Sequence, residues 1–148
     1  MNKRQILVIG TEPPCPRCDL LYRMIDEMLE NRDDIYLSHC SFDSQEAITL
    51  GRKLNLKIGT AKHVSKEAEI KVDWDEVYNI IEKNKALAGD NCTSADYWSQ
   101  ELDDILEPCQ KAASSVNYLM TPVLIVDGNV RFFGSVPTRD KIIELISL

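Results

Sequence analysis

Pro14-Cys15-Pro16-Arg17-Cys18 is the stretch on which the reading of this chain turns. It stands where the apolar run Ile6-Leu7-Val8-Ile9-Gly10 ends and a helical pattern begins. Two cysteines separated by two residues, at a strand-to-helix junction, have the spacing to hold a metal or to exchange a disulfide. Upstream, Gln5 to Gly10 reads as a buried strand, ended by Gly10 and the prolines. Downstream of Pro16, the apolar positions Leu20, Leu21, Met24, Ile25, Met28 and Leu29 recur at helical spacing with charge between them. The helix closes over Asn31 to Asp34.

From there the pattern alternates. Ile35 to Phe42 predicts a second strand, parallel to the first through the crossover helix. Asp43 or Ser44 caps a second helix whose inward positions would be Ala47, Ile48, Leu50, Gly51 and Leu54. The rhythm breaks from 57 to 118. Asp73-x-x-Glu76 opens a helix through Val77, Ile80, Ile81 and Leu87, closed by Gly89. Ser94 caps another that carries Trp98, Leu102, Ile105 and Cys109 on one face and is kinked or ended by Pro108. No glycine- or serine-rich linker sets this section apart, so the expectation is one domain over 1–148 with a helical insertion over 57–118. Val123 to Val126 then forms a strand, Asp127-Gly128 a hairpin turn, and Val130 to Phe133 its partner. Thr138 caps a last helix with Ile142, Ile143, Leu145 and Ile146 inward.

Composition bounds the function. The 148 residues are 44% hydrophobic and 28% charged, in the range of globular proteins. A net charge of −7 argues against nucleic acid or an anionic membrane surface as partner, and no stretch approaches the ~18 apolar residues of a span. Lys3 and Arg4 ahead of Ile6 to Ile9 give only a superficial signal-peptide pattern, because the apolar run is too short. The five cysteines are an odd number, against a fully paired secreted framework, and the expectation is a cytoplasmic protein.

With Cys-Pro-Arg-Cys opening the first helix and Thr121-Pro122 entering the strand before the hairpin, the order β-α-β-α-β-β-α is similar to the thioredoxin-like fold. The run Thr121-Pro122-Val-Leu-Ile-Val-Asp127-Gly128, then Phe-Phe-Gly134-Ser-Val-Pro137 and an apolar helix, resembles the small thioredoxin/glutaredoxin-like redox-active disulfide proteins of prokaryotes. The resemblance covers residues 3–56 and 119–148. It implies an α/β fold with a mixed four-stranded sheet and a role in electron transport; the helical insertion before the third strand is foreign to those minimal proteins. It also implies that Pro122 is cis and lies against the cysteine pair, and that Thr121 offers backbone groups to a substrate chain. Pro14 stands where thioredoxins carry a tryptophan, Pro-Arg replaces Gly-Pro, and Gln5 to Gly10 contains no buried acid for a proton relay.

These readings converge on a thiol–disulfide oxidoreductase. Cys15, at the helix start, has free N–H groups and the macrodipole to favour a thiolate, and Arg17 adds a positive charge. Cys18, one turn on and facing inward, is the resolving thiol. Pro16, Arg17, Thr121 and Pro122 are the expected substrate-binding residues, with a protein or small-molecule disulfide as substrate, a separate reductant, and no cofactor beyond the Cys15–Cys18 disulfide. No metal is expected. The competing reading is a metal- or metalloid-binding protein of the same fold, with Cys15 and Cys18 joined by Cys92 or Cys109; read as a zinc knuckle, the pair would draw further ligands from His39, Cys40, His63, Cys92 and Cys109. Against it, Asp19-Leu20-Leu21 runs straight into a helix where a zinc knuckle turns, and no second Cys-x-x-Cys exists. A third reading is a non-catalytic docking module. Cys92 and Cys109 are either core fillers or a second dithiol. Cys40 reads as a small buried residue, His39 as a strand-end residue, and Trp74, Tyr97 and Trp98 as insertion core or a roof over a substrate groove. The acidic run Glu101-Leu-Asp103-Asp104 reads as a solvated helix face.

Overall fold

Strand β1 (Arg4–Gly10) lies at the centre of a four-stranded sheet in a computed structural model that describes residues 3–147. Helix α1 (Pro16–Met28) crosses from it to β2 (Ile35–Ser41), which pairs parallel to β1 with Ile6 beside Leu37. After α2 (Gln45–Leu54), β5 (Val123–Val126) returns antiparallel to β1, and β6 (Asn129–Phe133) pairs antiparallel to β5, giving the order β2-β1-β5-β6. Helix α6 (Arg139–Ile146) completes the chain. This is a thioredoxin-like fold, with the mixed sheet and β-α-β-α-β-β-α order expected from the sequence.

Strand periodicity sorts the core into two faces. Ile6 and Val8 of β1, with Leu124 and Val126 of β5, face Leu21 and Ile25 of α1 and Ile142 and Ile146 of α6. Ile9, Val123 and Ile125 point the other way, toward Ala47 of α2. Ser44 caps α2 by accepting from the Ala47 N–H at 3.2 Å, and Thr138 caps α6 in the same way from Lys141 at 3.2 Å. At the hairpin, Asp127 (φ 49°) and Gly128 (φ 84°) both occupy left-handed backbone, as a tight two-residue turn requires.

Between α2 and β5 the chain adds β3 (Lys57–Gly59), α3 (Ala61–Glu67), α4 (Trp74–Ala88), α5 (Gln100–Ala112) and β4 (Tyr118–Met120). The insertion is therefore not wholly helical: β3 and β4 pair in parallel and draw its two ends together as a second sheet. Strands of three residues carry too little periodicity to be seen in a sequence. Its helices enclose a core of Val64, Val77, Ile80, Leu102, Leu106, Cys109 and Met120.

Several local expectations are corrected. Ile48 and Leu87, placed inward by periodicity, are 39% and 80% exposed, because each lies on the outer margin of its helix stripe. Thr93, not Ser94, caps a short 3₁₀ turn over Ser94–Tyr97, and α5 starts only at Gln100 behind Ser99. Pro108 does not end α5, which continues to Ala112; the proline sits on its exposed side, close to its end. Asp73 caps α4 as expected, accepting from the Glu76 N–H at 3.1 Å, and Gly89 closes it.

Candidate active site

Cys15 is the N-cap of α1 in extended backbone (φ −81°, ψ 163°), and Pro16 occupies the first helical position, where its missing N–H is not needed. The loop before it is fixed by Thr11, whose hydroxyl donates to the Pro13 carbonyl (2.8 Å) and accepts from the Cys15 N–H (2.9 Å). Cys18 is buried and points toward the end of β1. A methyl group on Gly10 would lie 2.7 Å from Cys18 Cβ and 2.9 Å from its sulfur, so the strand must end in glycine for Cys18 to fit.

The two sulfurs are 2.9 Å apart and unbonded, and the Cys18 backbone N–H also donates to Cys15 Sγ at 3.4 Å. The Cys18 thiol hydrogen bond is the strongest influence lowering the Cys15 pKa, to about 6, helped by the Cys18 N–H and the Arg17 charge and opposed by burial. The same hydrogen bond, with burial and the neighbouring Cys15 charge, pushes Cys18 well above the usual thiol range. One thiol is thus a ready anion and its neighbour a held proton.

Arg17 departs from its expected role on a substrate surface. It is only 5% exposed and turns inward, where Nε donates to Asp103 Oδ1 at 2.6 Å and Nη1 to the Thr121 carbonyl at 3.3 Å. Asp103 is likewise 5% exposed, and its second oxygen accepts from Trp98 Nε1 (3.1 Å) and the Val136 N–H (2.9 Å). The reading of residues 101–104 as a solvated acidic face fails at this residue, since Leu102 and Asp103 both turn inward while Glu101 and Asp104 stay exposed. An aspartate among acidic neighbours gives no sequence signal of burial; its partner lies 86 positions away. Two further contacts dock the insertion on α1: Asp19 accepts from Ser94 Oγ (2.6 Å) and the Ala95 N–H (3.0 Å), and Arg23 pairs with Asp96 (2.7 Å).

The Thr121–Pro122 bond is cis, and the Thr121 carbonyl just before it is the one that accepts from Arg17. Pro122 is buried, and its carbonyl accepts from the Gly134 N–H at 2.9 Å. Beside Cys15 and Pro16 opens a groove of about 260 Å³ whose far wall is Trp74, Val77, Ile81, Leu102 and Leu106. Of the three aromatic residues considered as a roof, Trp74 lines this groove, whereas Tyr97 and Trp98 do not. A larger hollow of about 520 Å³ between α2 and β3 contains no cysteine.

The remaining cysteines stay apart. Cys109 is fully buried in the insertion core, while the Cys92 sulfur bonds the Gly89 carbonyl (3.0 Å) and the Tyr97 hydroxyl (3.6 Å). Both are unpaired. Cys40 and His39 share a small hollow with Cys18, but His63 bonds Thr60 elsewhere. Among the described residues, no three His, Cys, Asp or Glu side chains converge to hold a metal ion.

No family model and no curated protein matches the chain. Among solved structures it is similar to a periplasmic thioredoxin-like protein from Salmonella enterica serovar Typhimurium (10% identity, 99% of this chain and 83% of that chain, TM-score 0.40). It is also similar to the oxidoreductase NmDsbA1 from N. meningitidis (19% identity, 99% and 81%, TM-score 0.39) and to reduced DsbA1 from Neisseria meningitidis (20% identity, 98% and 81%, TM-score 0.39). The expectation of a cytoplasmic location is withdrawn: the Salmonella protein is periplasmic.

Proposed function

We propose that the protein is a thiol–disulfide oxidoreductase, and the observation that carries this reading is the unequal pair of thiols at the start of α1. The Cys15 thiolate attacks one sulfur of a substrate disulfide. A Cys15–substrate S–S bond forms, the substrate's own S–S bond breaks, and the other sulfur leaves as a thiolate with the electron pair. Cys18 then loses its proton and attacks Cys15, which releases the second substrate thiolate. The substrate is reduced by two electrons and Cys15–Cys18 is oxidised to a disulfide. The redox group is the cysteine pair itself, so the cycle needs a second thiol–disulfide couple to reset it and no separate cofactor.

The exchange is reversible, and magnitudes favour the reverse of the sequence just written, in which the oxidised pair passes its disulfide to a substrate dithiol. With a pKa of about 6, Cys15 is about 90% thiolate at pH 7, against about 3% for an ordinary thiol near 8.5. That thirtyfold gain is largely offset in attack, because nucleophilicity falls by about tenfold over the same pKa range. The low pKa acts more strongly on Cys15 as a leaving group and on the stability of the reduced pair, both of which favour passing the disulfide on to a substrate. The proposal therefore sets the reduction potential above the ~−270 mV of thioredoxin.

Trapping tests the mechanism. In Cys18→Ser the first attack proceeds and the second does not, so incubation with a protein or small-molecule disulfide should leave a reductant-sensitive adduct on Cys15 that the unchanged protein does not accumulate. An adduct mapped by mass spectrometry to Cys92 or Cys40, with none on Cys15, would sink the assignment.

A further inference from the structure

The insertion reaches the cysteine loop through a single carboxylate. Arg17, which stands between Cys15 and Cys18, places Nε 2.6 Å from Asp103 Oδ1, and both side chains are buried. With water kept from both charges, their attraction is little screened. Asp103 is fixed in place as well, because its other oxygen accepts from Trp98 Nε1 at 3.1 Å and the Val136 N–H at 2.9 Å. The guanidinium is tied down by a second bond, from Nη1 to the Thr121 carbonyl at 3.3 Å. The Thr121 N–H in turn donates to the Gly59 carbonyl at 2.9 Å, one rung past the Gly59–Met120 register of β3 and β4. Both backbone groups of Thr121 are therefore engaged within the protein, which corrects the expectation that it offers them to a substrate chain.

These bonds decide how much charge the cysteine pair feels. At neutral pH the reduced pair carries one negative charge, on Cys15, and the disulfide carries none. A bare cation beside the pair would stabilise the reduced state and make the disulfide a stronger oxidant. The Arg17 charge does reach the thiols, since it acts on Cys15, Cys18 and the buried Cys109. It arrives with Asp103 attached, however, and at 2.6 Å the two charges act on their surroundings as a dipole with no net charge. The Cys18 thiol and the N-terminus of α1 are left as the main supports of the thiolate. The other titratable groups around the pair have partners of their own. Lys62 bonds Tyr78 across the groove, Asp19 accepts from Ser94 and the Ala95 N–H, and His39 lies against the Tyr22 ring. None of these is bonded to Arg17 or Asp103, so a change at Asp103 leaves their charges as they are.

We propose that Asp103 sets the redox poise of the cysteine pair: the insertion supplies it as a fixed counter-charge to Arg17, and this keeps the pair less oxidising than an uncompensated guanidinium would make it. Asp103 is bonded to neither sulfur and is a positioning residue, acting through Arg17. The proposal rests on Cys15 being the thiolate of the pair. It ties the insertion to the exchange reaction without any contact to a substrate.

The test compares the full-length protein with Asp103→Asn, which keeps the shape of aspartate and removes its charge. The pH midpoint of Cys15 alkylation and the equilibrium with glutathione are measured for both. Asp103→Asn should lower the Cys15 midpoint by about one pH unit, the effect of one uncompensated neighbouring charge. A lower midpoint stabilises the thiolate, so the reduced pair gains at pH 7, and the gain is lost as pH falls through the lowered value. At pH 7 the equilibrium with glutathione should move about tenfold toward the reduced pair, or about 30 mV in potential. A merely structural role predicts the opposite signs, because a loosened loop lets the Cys15 midpoint climb toward ~8.5 and the potential fall. Should Asp103→Asn fail to fold, the double variant Arg17→Met with Asp103→Leu decides. It removes both charges together, and charges that cancel predict a Cys15 midpoint within about half a pH unit of the unchanged protein. A midpoint or potential that stays put or moves the other way in folded Asp103→Asn overturns the proposal, as does a larger change in the double variant. If Cys15 of the unchanged protein is not the fastest-alkylated site at neutral pH, the reading of the pair fails instead.

Discussion

Cys15→Ser is expected to abolish thiol–disulfide exchange altogether, in both directions, while leaving the fold intact. The serine hydroxyl does not ionise near neutral pH, so neither the Cys18 hydrogen bond nor the Arg17 charge can make it a nucleophile. Three of the four remaining thiols are too enclosed or too firmly protonated to substitute. Cys18 is buried and held protonated well above the usual range, and Cys109 is sealed in the insertion core with its pKa also raised by burial. Cys40 is raised by desolvation as well. Serine keeps an acceptor at the N-cap position, so helix α1 retains its first-turn bond and stability should change by less than about 1 kcal/mol. Insulin reduction and oxidation of a reduced peptide, measured alongside thermal unfolding, check both halves of this expectation. Full turnover by a folded Cys15→Ser protein would contradict it.

Asp103→Ala should have the largest effect on stability, a loss of about 3–5 kcal/mol in urea unfolding, because it strands the Arg17 charge without its partner inside the protein. The ion pair has side-chain exposures of 6% and 4%, so solvent cannot replace the lost carboxylate. Trp98 Nε1 and the Val136 N–H lose their acceptor at the same time. The double variant Arg17→Met with Asp103→Leu removes both charges and should recover part of the loss but not all. The donors of Trp98 and Val136 still go unmet, at about 1–3 kcal/mol for each one that stays buried. Equal stability of Asp103→Ala and the unchanged protein would mean that this contact does not hold the insertion to the cysteine loop.

The cysteine loop and the sheet were legible in the sequence for a physical reason. Their determinants are local: Cys15 and Pro16 mark a helix start, Ile6, Val8, Leu124 and Val126 alternate, and Asp127-Gly128 names its own turn. What the sequence hid are relations across distance. Arg17 reads as an exposed cation two residues from Cys15 until the fold brings Asp103 and the Thr121 carbonyl to it. Asp103 reads as one of several surface acids until helix α5 is oriented and its neighbour Leu102 turns inward. The closure of Thr121 by Gly59 depends on pairing between two three-residue strands about sixty positions apart, and no periodicity reports that. The groove is hidden for the same reason, since its walls come from α1, α3, α4 and α5 together.

The most direct test of the central claim is the pH dependence of alkylation at each cysteine of the reduced protein, resolved by mass spectrometry after brief exposure to iodoacetamide. The thiolate alone reacts, so the rate at a given site rises through that site's pKa and then levels off. A folded-state pKa below the ordinary thiol value means that the reactive anion is lost only as pH falls through the lower value. Cys15 should therefore be the fastest site at neutral pH, with a midpoint at about 6, while Cys18 remains unmodified across the same window. A Cys15 midpoint in the ordinary range near 8.5, or labelling of Cys15 no faster than of Cys92 at pH 7, would contradict the account of this pair as a poised redox site.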